Sequence, residues 1–142
     1  LAHLVFNMVT LFFFGPFVEQ MLGSFAFLGV YFGSELAANA LTYVRYKDNP
    51  AYSAVGASGA ISGVLFSFIL FRPFENIYIF FAIPMWSIVF AVLYVAFSIY
   101  AAKQGGGRVA HEAHLGGALG GVVITLLLYP SALGIFLRQL GF

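Results

Sequence analysis

The sequence contains no cysteine and very little charge. Asp, Glu, Lys and Arg make up only 8% of its 142 residues, and the formal net charge is +1. The lack of cysteine excludes disulfides and zinc–thiolate sites, and we expect neither a metal ion nor another cofactor. A net charge so close to zero gives no reason to expect a nucleic-acid partner.

Hydrophobic residues take the place of the missing charge and make up 62% of the chain. Segments without Asp, Glu, Lys or Arg cover residues 1–18, 49–71, 76–102 and 113–137. Each of the last three is longer than the roughly 20 apolar residues that cross a hydrocarbon core of about 30 Å. The sequence therefore predicts an integral multi-pass membrane protein, an all-α bundle of transmembrane helices in contact with membrane lipid.

Breaks in this pattern predict five spans, at about 1–14, 25–44, 54–71, 77–101 and 112–129. Gly15-Pro16 is expected to end the first span because proline cannot continue a helix, and Pro84 is expected to kink the fourth. A first helix that ends there would extend only about 21 Å, which predicts a fragment that begins inside a helix. The fourth span is aromatic and has no stripe of small residues, so we expect it at the periphery.

Three of the spans carry polar residues near their first turns. These are Ser58 with Gly56 and Gly59 in span three, His114 with Gly117 and Gly121 in span five, and His3 with Asn7 in span one. Consecutive spans run in opposite directions, so spans one, three and five run the same way. The polar residues should therefore lie at a similar depth, where the glycines would allow the helices to approach closely.

Brought together, these side chains could form the site of a serine protease. A serine hydroxyl becomes an effective nucleophile when a base takes its proton, and His114 could do this for Ser58. The oxyanion formed on a peptide carbonyl needs hydrogen-bond donors, which Asn7, His3 and the backbone N–H of Ser58 could supply. A structural interpretation stays open for each residue, because polar and small side chains also serve helix packing alone.

Glu35 and Asn39 lie one turn apart in span two. An intramembrane carboxylate can mark a functional site. We prefer the interpretation that Glu35 is protonated or hydrogen-bonded and buried between helices.

Three motifs resemble those of the rhomboid intramembrane serine proteases: HLVFN at 3–7, GASGA at 56–60 and AHLGGALGG at 113–121. The resemblance extends over nearly the whole chain. It implies a rhomboid-like bundle with five spans of an expected six. Residues 1–142 would then be a rhomboid protease domain that lacks the first helix and the loop after it.

The resemblance also implies roles for single residues. Ser58 and His114 would form a catalytic dyad, and His3, Asn7 and the Ser58 amide would form the oxyanion hole. The residues implied in helix packing at the site are Gly56, Gly59, Gly117 and Gly121. The implied substrates are transmembrane proteins, which would enter past the fourth span, whereas the oligomeric state stays open. One departure is Ser62, where some members carry an aromatic residue against the histidine ring, and this leaves the orientation of His114 less constrained.

Other protein classes explain less of the pattern. An intramembrane metalloprotease would need a second histidine at residue 115, four positions after His111, but residue 115 is leucine. A transporter or channel would explain Glu35 and the glycines, but not the placement of Ser58 and His114 together. A catalytically inactive rhomboid relative is a further alternative, although such proteins usually lose the serine or the histidine.

The distribution of charge and the family resemblance disagree about orientation. Arg45, Lys47, Lys103 and Arg108 lie on the side of the predicted site, against Arg72 and Arg138 on the other side. The positive-inside rule would place the site at the cytoplasmic face, whereas the resemblance implies the opposite face. We follow the resemblance and expect a prokaryotic plasma membrane protein.

Overall fold

The computed structural model describes residues 1–49, 56–104 and 110–142. The predicted start of the third span at residue 54 and Arg108 lie outside the described residues. The elements, in chain order, are α1 (Ala2–Leu22), α2 (Ser24–Tyr46), α3 (Ser58–Phe71), β1 (Asn76–Ile79), β2 (Ile83–Trp86), α4 (Ser87–Gln104), α5 (His111–Leu128) and α6 (Ser131–Gln139). The protein is therefore a helical bundle with one small hairpin.

The central helix of the bundle is α3. Every residue from Gly59 to Phe71 is buried, which fits a sequence that is apolar on all sides, since such a helix has no face for water. The rings of Phe14 and Phe17 on α1 pack on Phe68, with centroids 4.8 and 5.2 Å away. The other helices thus surround the segment that begins at Ser58.

The helix α1 does not end at Gly15-Pro16, so that prediction was wrong. Pro16 lies inside the helix, which continues to Leu22 and is followed by Gly23 with a φ of 81°. Proline is tolerated inside membrane helices because neighbouring groups can satisfy the backbone that it leaves unpaired. The ψ of Gly23, 158°, differs from that of the usual αL cap, and this combination of φ and ψ is open essentially only to glycine.

The prediction that residues 77–86 are helical was also wrong. β1 and β2 form an antiparallel hairpin in which Ile79 faces Ile83. The strands are rich in β-branched and aromatic residues, which favour extended backbone, and the turn holds Phe80 and Phe81 at φ values of 50° and 61°. Pro84 lies in β2 rather than at a helix kink, and α4 begins only at Ser87.

α4 does carry a stripe of small residues, contrary to expectation. Its buried residues are Ser87, Ala91, Ser98 and Ala102. This stripe faces the bundle, mainly α5. Of the aromatic side chains of the helix, Phe97 and Tyr100 are exposed on the outside, whereas Phe90 and Tyr94 pack against the core. At its far end, Arg45 of α2 donates a hydrogen bond to the carbonyl of Ala102 (2.7 Å), an arrangement that stabilises a helix C-terminus.

Of the described helices, α1, α4 and α5 are long and apolar enough to cross a membrane, and α3 is a shorter apolar helix. Many large hydrophobic side chains are exposed on the outside of the bundle, such as Phe12 at 74% and Leu127 at 73%. An exposed surface of this kind is stable in lipid and not in water. The predicted tail after Pro130 contains the short helix α6, whose Gln139 side chain donates to the carbonyl of Phe71 (2.8 Å) and thereby caps α3.

Candidate functional site

Ser58 is the first residue of α3. A helix leaves its first N–H groups without partners inside the helix, and among the described residues no hydrogen bond from the N–H of Ser58 or Gly59 is present. The chain enters the helix through Gly56, whose φ of 150° is strained for residues with a side chain. Glycine at this position therefore permits the sharp entry that places Ser58 at a partly buried helix N-terminus.

A carboxylate from α2 supports the same turn. Glu35 accepts a hydrogen bond from the backbone N–H of Ala60 (2.9 Å) and another from the side-chain amide of Asn39 (3.3 Å). A carboxylate at a helix N-terminus satisfies an unpaired donor and interacts favourably with the helix dipole. Glu35 is thus hydrogen-bonded between helices, and it fixes the backbone two residues after Ser58.

α3 and α5 meet backbone against backbone. A Cβ atom added to Gly117 would collide with the backbone of Gly59, and one added to Gly121 would collide with the backbone of Gly63. The two helices therefore run parallel, and their matched positions lie four residues apart along each. We call these four residues the glycine seam.

Further contacts complete the packing of α2 and α5 around α3. A Cβ at Gly116 would lie 2.9 Å from the Cα of Ala38, so α2 also approaches the backbone of α5 closely, although less closely than α3 does at the glycine seam. Farther along α5, Thr125 donates a hydrogen bond to Ser67 of α3 (2.8 Å), and both side chains are fully buried. Small residues and buried hydroxyls are the usual means of holding membrane helices together.

The glycine seam brings His114 to the level of Ser58, because His114 lies three residues before Gly117 on α5. Its ring stacks on the ring of Tyr94 from α4, with centroids 6.0 Å apart and planes 26° apart. The ring of His111 meets it edge-on at 6.0 Å. Within the described part of the chain, Ser58 Oγ and the His114 ring share no hydrogen bond. The structure thus brings the two helices together, and the predicted Ser58–His114 hydrogen bond is not formed in it.

His3 reaches the same level from α1. Its Cε1 atom would lie 3.2 Å from a Cβ at Gly56, two residues before Ser58. Asn7 is partly buried one turn further along α1. Its side chain makes no hydrogen bond to any of the described residues. The first turns of α1, α3 and α5 thus meet at one end of the bundle, as the count of spans predicts.

The sequence interpretation missed Tyr94. Its hydroxyl lies 2.6 Å from Ser62 Oγ, and Ser62 in turn donates to the backbone carbonyl of Ser58 (2.8 Å). The aromatic ring against His114 therefore comes from α4 and not from position 62. The sequence contained only one indirect signal, a small polar residue at 62 that leaves space beside the histidine.

The residues at this end do not suggest a metal centre. Across residues 1–49, 56–104 and 110–142, no three His, Cys, Asp or Glu side chains lie close enough together to hold a metal ion. The available chemistry is that of a hydroxyl, imidazole rings, an amide and backbone N–H groups. This is the set that acyl transfer requires.

Comparison with known proteins identifies the protein family to which the chain belongs. The family model of the rhomboid domain matches residues 1–131. The Bacillus subtilis protein YdcA, whose name assigns it provisionally as a rhomboid protease, is 43% identical over 75 residues, which cover 53% of this chain and 37% of that protein. Rhomboid protein 1, mitochondrial, of Saccharomyces cerevisiae is 33% identical over 125 residues, covering 85% and 36% respectively.

Rhomboid protease GluP of Bacillus subtilis is 29% identical over 141 residues, which cover 99% of this chain and 26% of that protein. The chain spans only 26–37% of the length of these three relatives. No solved structure gives a significant match. Because the family model covers most of the chain, and the fold is a bundle of apolar helices, this integral membrane protein belongs to the rhomboid family.

Proposed function

We propose that the protein is an intramembrane serine endopeptidase that cleaves transmembrane protein substrates, with Ser58 as nucleophile and His114 as base. The observation that carries the proposal is the glycine seam, which holds the first turns of α3 and α5 against each other with Ser58 on one and His114 on the other. Two relatives whose names include "rhomboid protease" support the activity. Apo active sites often show long catalytic hydrogen bonds that shorten when substrate binds.

The reaction would follow the usual course of acyl transfer. His114 takes the proton of the Ser58 hydroxyl as Oγ attacks the substrate carbonyl carbon, and the carbonyl oxygen becomes an oxyanion. His114 then gives this proton to the leaving amine as the peptide bond breaks, which leaves an ester on Ser58. Water, deprotonated by His114, hydrolyses the ester and restores the hydroxyl.

The oxyanion would be stabilised where the first turns of α1 and α3 meet. The N–H of Ser58 points out of the N-terminus of α3, an end that favours negative charge. Asn7 and His3 would add side-chain donors from α1. Donors fixed in place before the reaction act more strongly in a site that excludes bulk water.

We also propose that α1 to α5 each cross the membrane, that residues 1–142 belong to one rhomboid protease domain, and that substrates enter between α1 and α4. In support, α4 packs mainly on α5, and an apolar cavity of about 640 Å³ lies between α1 and the hairpin. Because the chain has no cysteine, single cysteines placed in each loop would report the number and direction of spans by their labelling from either side. The same labelling would decide whether the site opens away from the cytoplasm.

The direct experiment compares proteolysis by the wild type, Ser58→Ala and His114→Ala in liposomes with a transmembrane substrate. We expect both variants to lose cleavage and Ser58→Ala to lose labelling by a fluorophosphonate, while their melting temperatures stay close to the wild type. Ser24→Ala is the matched control, since Ser24 bonds to Glu19 far from the site. Cleavage near the wild-type level in either variant would contradict the dyad.

The alternative is a catalytically inactive member of the family. The absence of a hydrogen bond between Ser58 and His114 is the observation in its favour. An inactive protein would resist fluorophosphonate and cleave no transmembrane substrate, yet would keep its fold. The same measurement on the wild type therefore separates the two functions.

A further inference from the structure

Tyr94 of α4 contacts His114 directly and is linked to Ser58 through the side chain of Ser62. Its ring lies nearly parallel to that of His114, with planes 26° apart. Its hydroxyl meets Ser62 Oγ at 2.6 Å, one turn after Ser58 on α3. No other aromatic ring of the described residues lies stacked against His114, since the ring of His111 meets it edge-on.

The direction of the hydrogen bonds can be assigned. Ser62 has a single hydroxyl proton, and it donates that proton to the carbonyl of Ser58 (2.8 Å). The Ser62 oxygen must then accept from Tyr94, whose hydroxyl has one proton to give. The result is a chain of two hydrogen bonds that runs from α4 to the backbone of Ser58.

The position of the Tyr94 ring is itself fixed by its neighbours. Phe66 of α3 lies 5.5 Å from it and Phe90 of α4 lies 5.6 Å from it, measured between ring centroids. With a ring on two sides and a hydrogen bond at its tip, Tyr94 has little freedom to turn. The ring of Tyr94 can therefore hold the imidazole of His114, which stacks on it, in a fixed plane.

We propose that Tyr94 is a positioning residue that sets the plane of the His114 ring and makes the geometry of the dyad depend on the position of α4. This inference rests on the proposed function, because it assigns His114 as the base. The base would be aligned only while α4 lies against α3 and α5. Movement of α4 away from the bundle would release the imidazole and lengthen the hydrogen bond to Ser58.

The test replaces the ring and the hydroxyl separately. Tyr94→Leu removes both, and we expect kcat to fall by about 10–100-fold, since misplacing a catalytic group by about 1 Å costs up to about 100-fold. KM should change little. Tyr94→Phe keeps the stacked ring and loses only a hydrogen bond, so kcat should fall by less than about 10-fold. Fluorophosphonate labelling of Ser58 should slow in the same order.

Phe97→Leu is the matched control. Phe97 lies on the same helix, one turn after Tyr94, and its ring meets His111 at 5.5 Å instead of His114. We expect kcat to stay within about twofold of the wild type. Equal losses in Tyr94→Leu and Phe97→Leu would overturn the proposal, as would normal turnover of folded Tyr94→Leu with a lowered melting temperature, which would show a packing role alone.

A measurement that does not depend on catalysis can test the positioning of His114 separately from the proposed protease activity. With only three histidines in the chain, NMR of ¹⁵N-labelled histidine can follow His114, assigned by its loss in His114→Ala. The ring signals should shift in Tyr94→Leu and much less in Tyr94→Phe. If they do and the wild type is inactive, the proposed function fails while the positioning holds; if they do not shift, the positioning is wrong whatever the activity.

Discussion

Two sides of this bundle are packed in different ways. On one side, α2, α3 and α5 meet through small residues, with Gly117 and Gly121 directly on the backbone of α3. On the other side, the amino-terminal half of α1 and the hairpin meet through aromatic rings, Phe6 on Phe80 and Phe13 on Phe81, with centroids more than 6 Å apart. The apolar cavity of about 640 Å³ lies on this second side.

The difference teaches how a membrane bundle can be rigid and open together. Without a hydrophobic force between helices in lipid, close van der Waals contact and buried hydrogen bonds must hold them. Backbone contact admits one arrangement only, whereas large rings can slide and repack with little loss. We call the side formed by α2, α3 and α5 the rigid side, and the side formed by the amino-terminal half of α1 and the hairpin the open side. The proposed dyad lies on the rigid side, and the proposed substrate path lies on the open side.

The largest effect should come from filling the glycine seam. Gly117→Ala places a methyl group where the backbone of Gly59 lies, so α3 and α5 must separate. We expect the free energy of unfolding to fall by about 3 kcal/mol or more, the upper end for overpacking, together with loss of proteolysis. Denaturation in detergent and a cleavage assay on the same preparation would measure both.

Gly134→Ala is the control for this change. A Cβ at Gly134 would meet only the end of the Arg138 side chain, at 3.5 Å, and alanine favours a helix over glycine by about 0.5–1 kcal/mol. Stability should therefore hold or rise slightly. If Gly117→Ala behaved like Gly134→Ala, the two sides of the bundle would not differ in the way the contacts indicate.

A mutation on the open side can test whether function and stability are separated. Asn7→Ala on α1 should lower kcat by about 10²–10³-fold, the effect of removing one oxyanion donor, with little change in KM because the bond strengthens only as charge develops. The melting temperature should barely move, since Asn7 is hydrogen-bonded to none of the described residues.

Asn39→Ala makes the same change on the rigid side. Asn39 donates to Glu35, which holds the first turn of α3, so we expect a modest loss of stability and near-normal turnover of the folded protein. The opposite pattern, with Asn7→Ala destabilised but fully active, would remove Asn7 from the oxyanion hole and make it a packing residue.

The rigid side was largely predictable from the sequence, and the open side was not. Glycines at a spacing of four, with Ser58 and His114 beside them, predict where α3 and α5 meet, because only glycine permits backbone contact. The Gly15-Pro16 break failed because local propensity cannot show whether neighbouring groups compensate for a proline. The helical interpretation of 77–86 failed because it followed hydrophobicity alone, although β-branched and aromatic residues favour extended backbone there. Tyr94 was missed because a ring on α4 reaches His114 only through tertiary packing, which no spacing reveals.

The smallest effect should come from Phe80→Ala at the tip of the hairpin. Phe80 is 73% exposed and touches Phe6 only edge-on at 6.1 Å, so its removal leaves no cavity and should change stability by no more than about 0.5 kcal/mol. The same truncation at Phe68, which is 7% exposed and contacts two rings of α1, should cost about 3 kcal/mol or more.

Phe80→Ala also tests the proposed substrate path, because Phe80 lines the apolar cavity. If substrates enter along this cavity, a smaller side chain at position 80 should change KM by a few fold. kcat should stay unchanged, because binding is altered and the chemistry is not. Thermal unfolding measures the effect on stability, and kinetics with one transmembrane substrate measure KM and kcat. A strongly destabilised Phe80→Ala would mean that the hairpin is a structural wedge and that this side is not open. An unchanged KM would instead mean that the substrate takes another path.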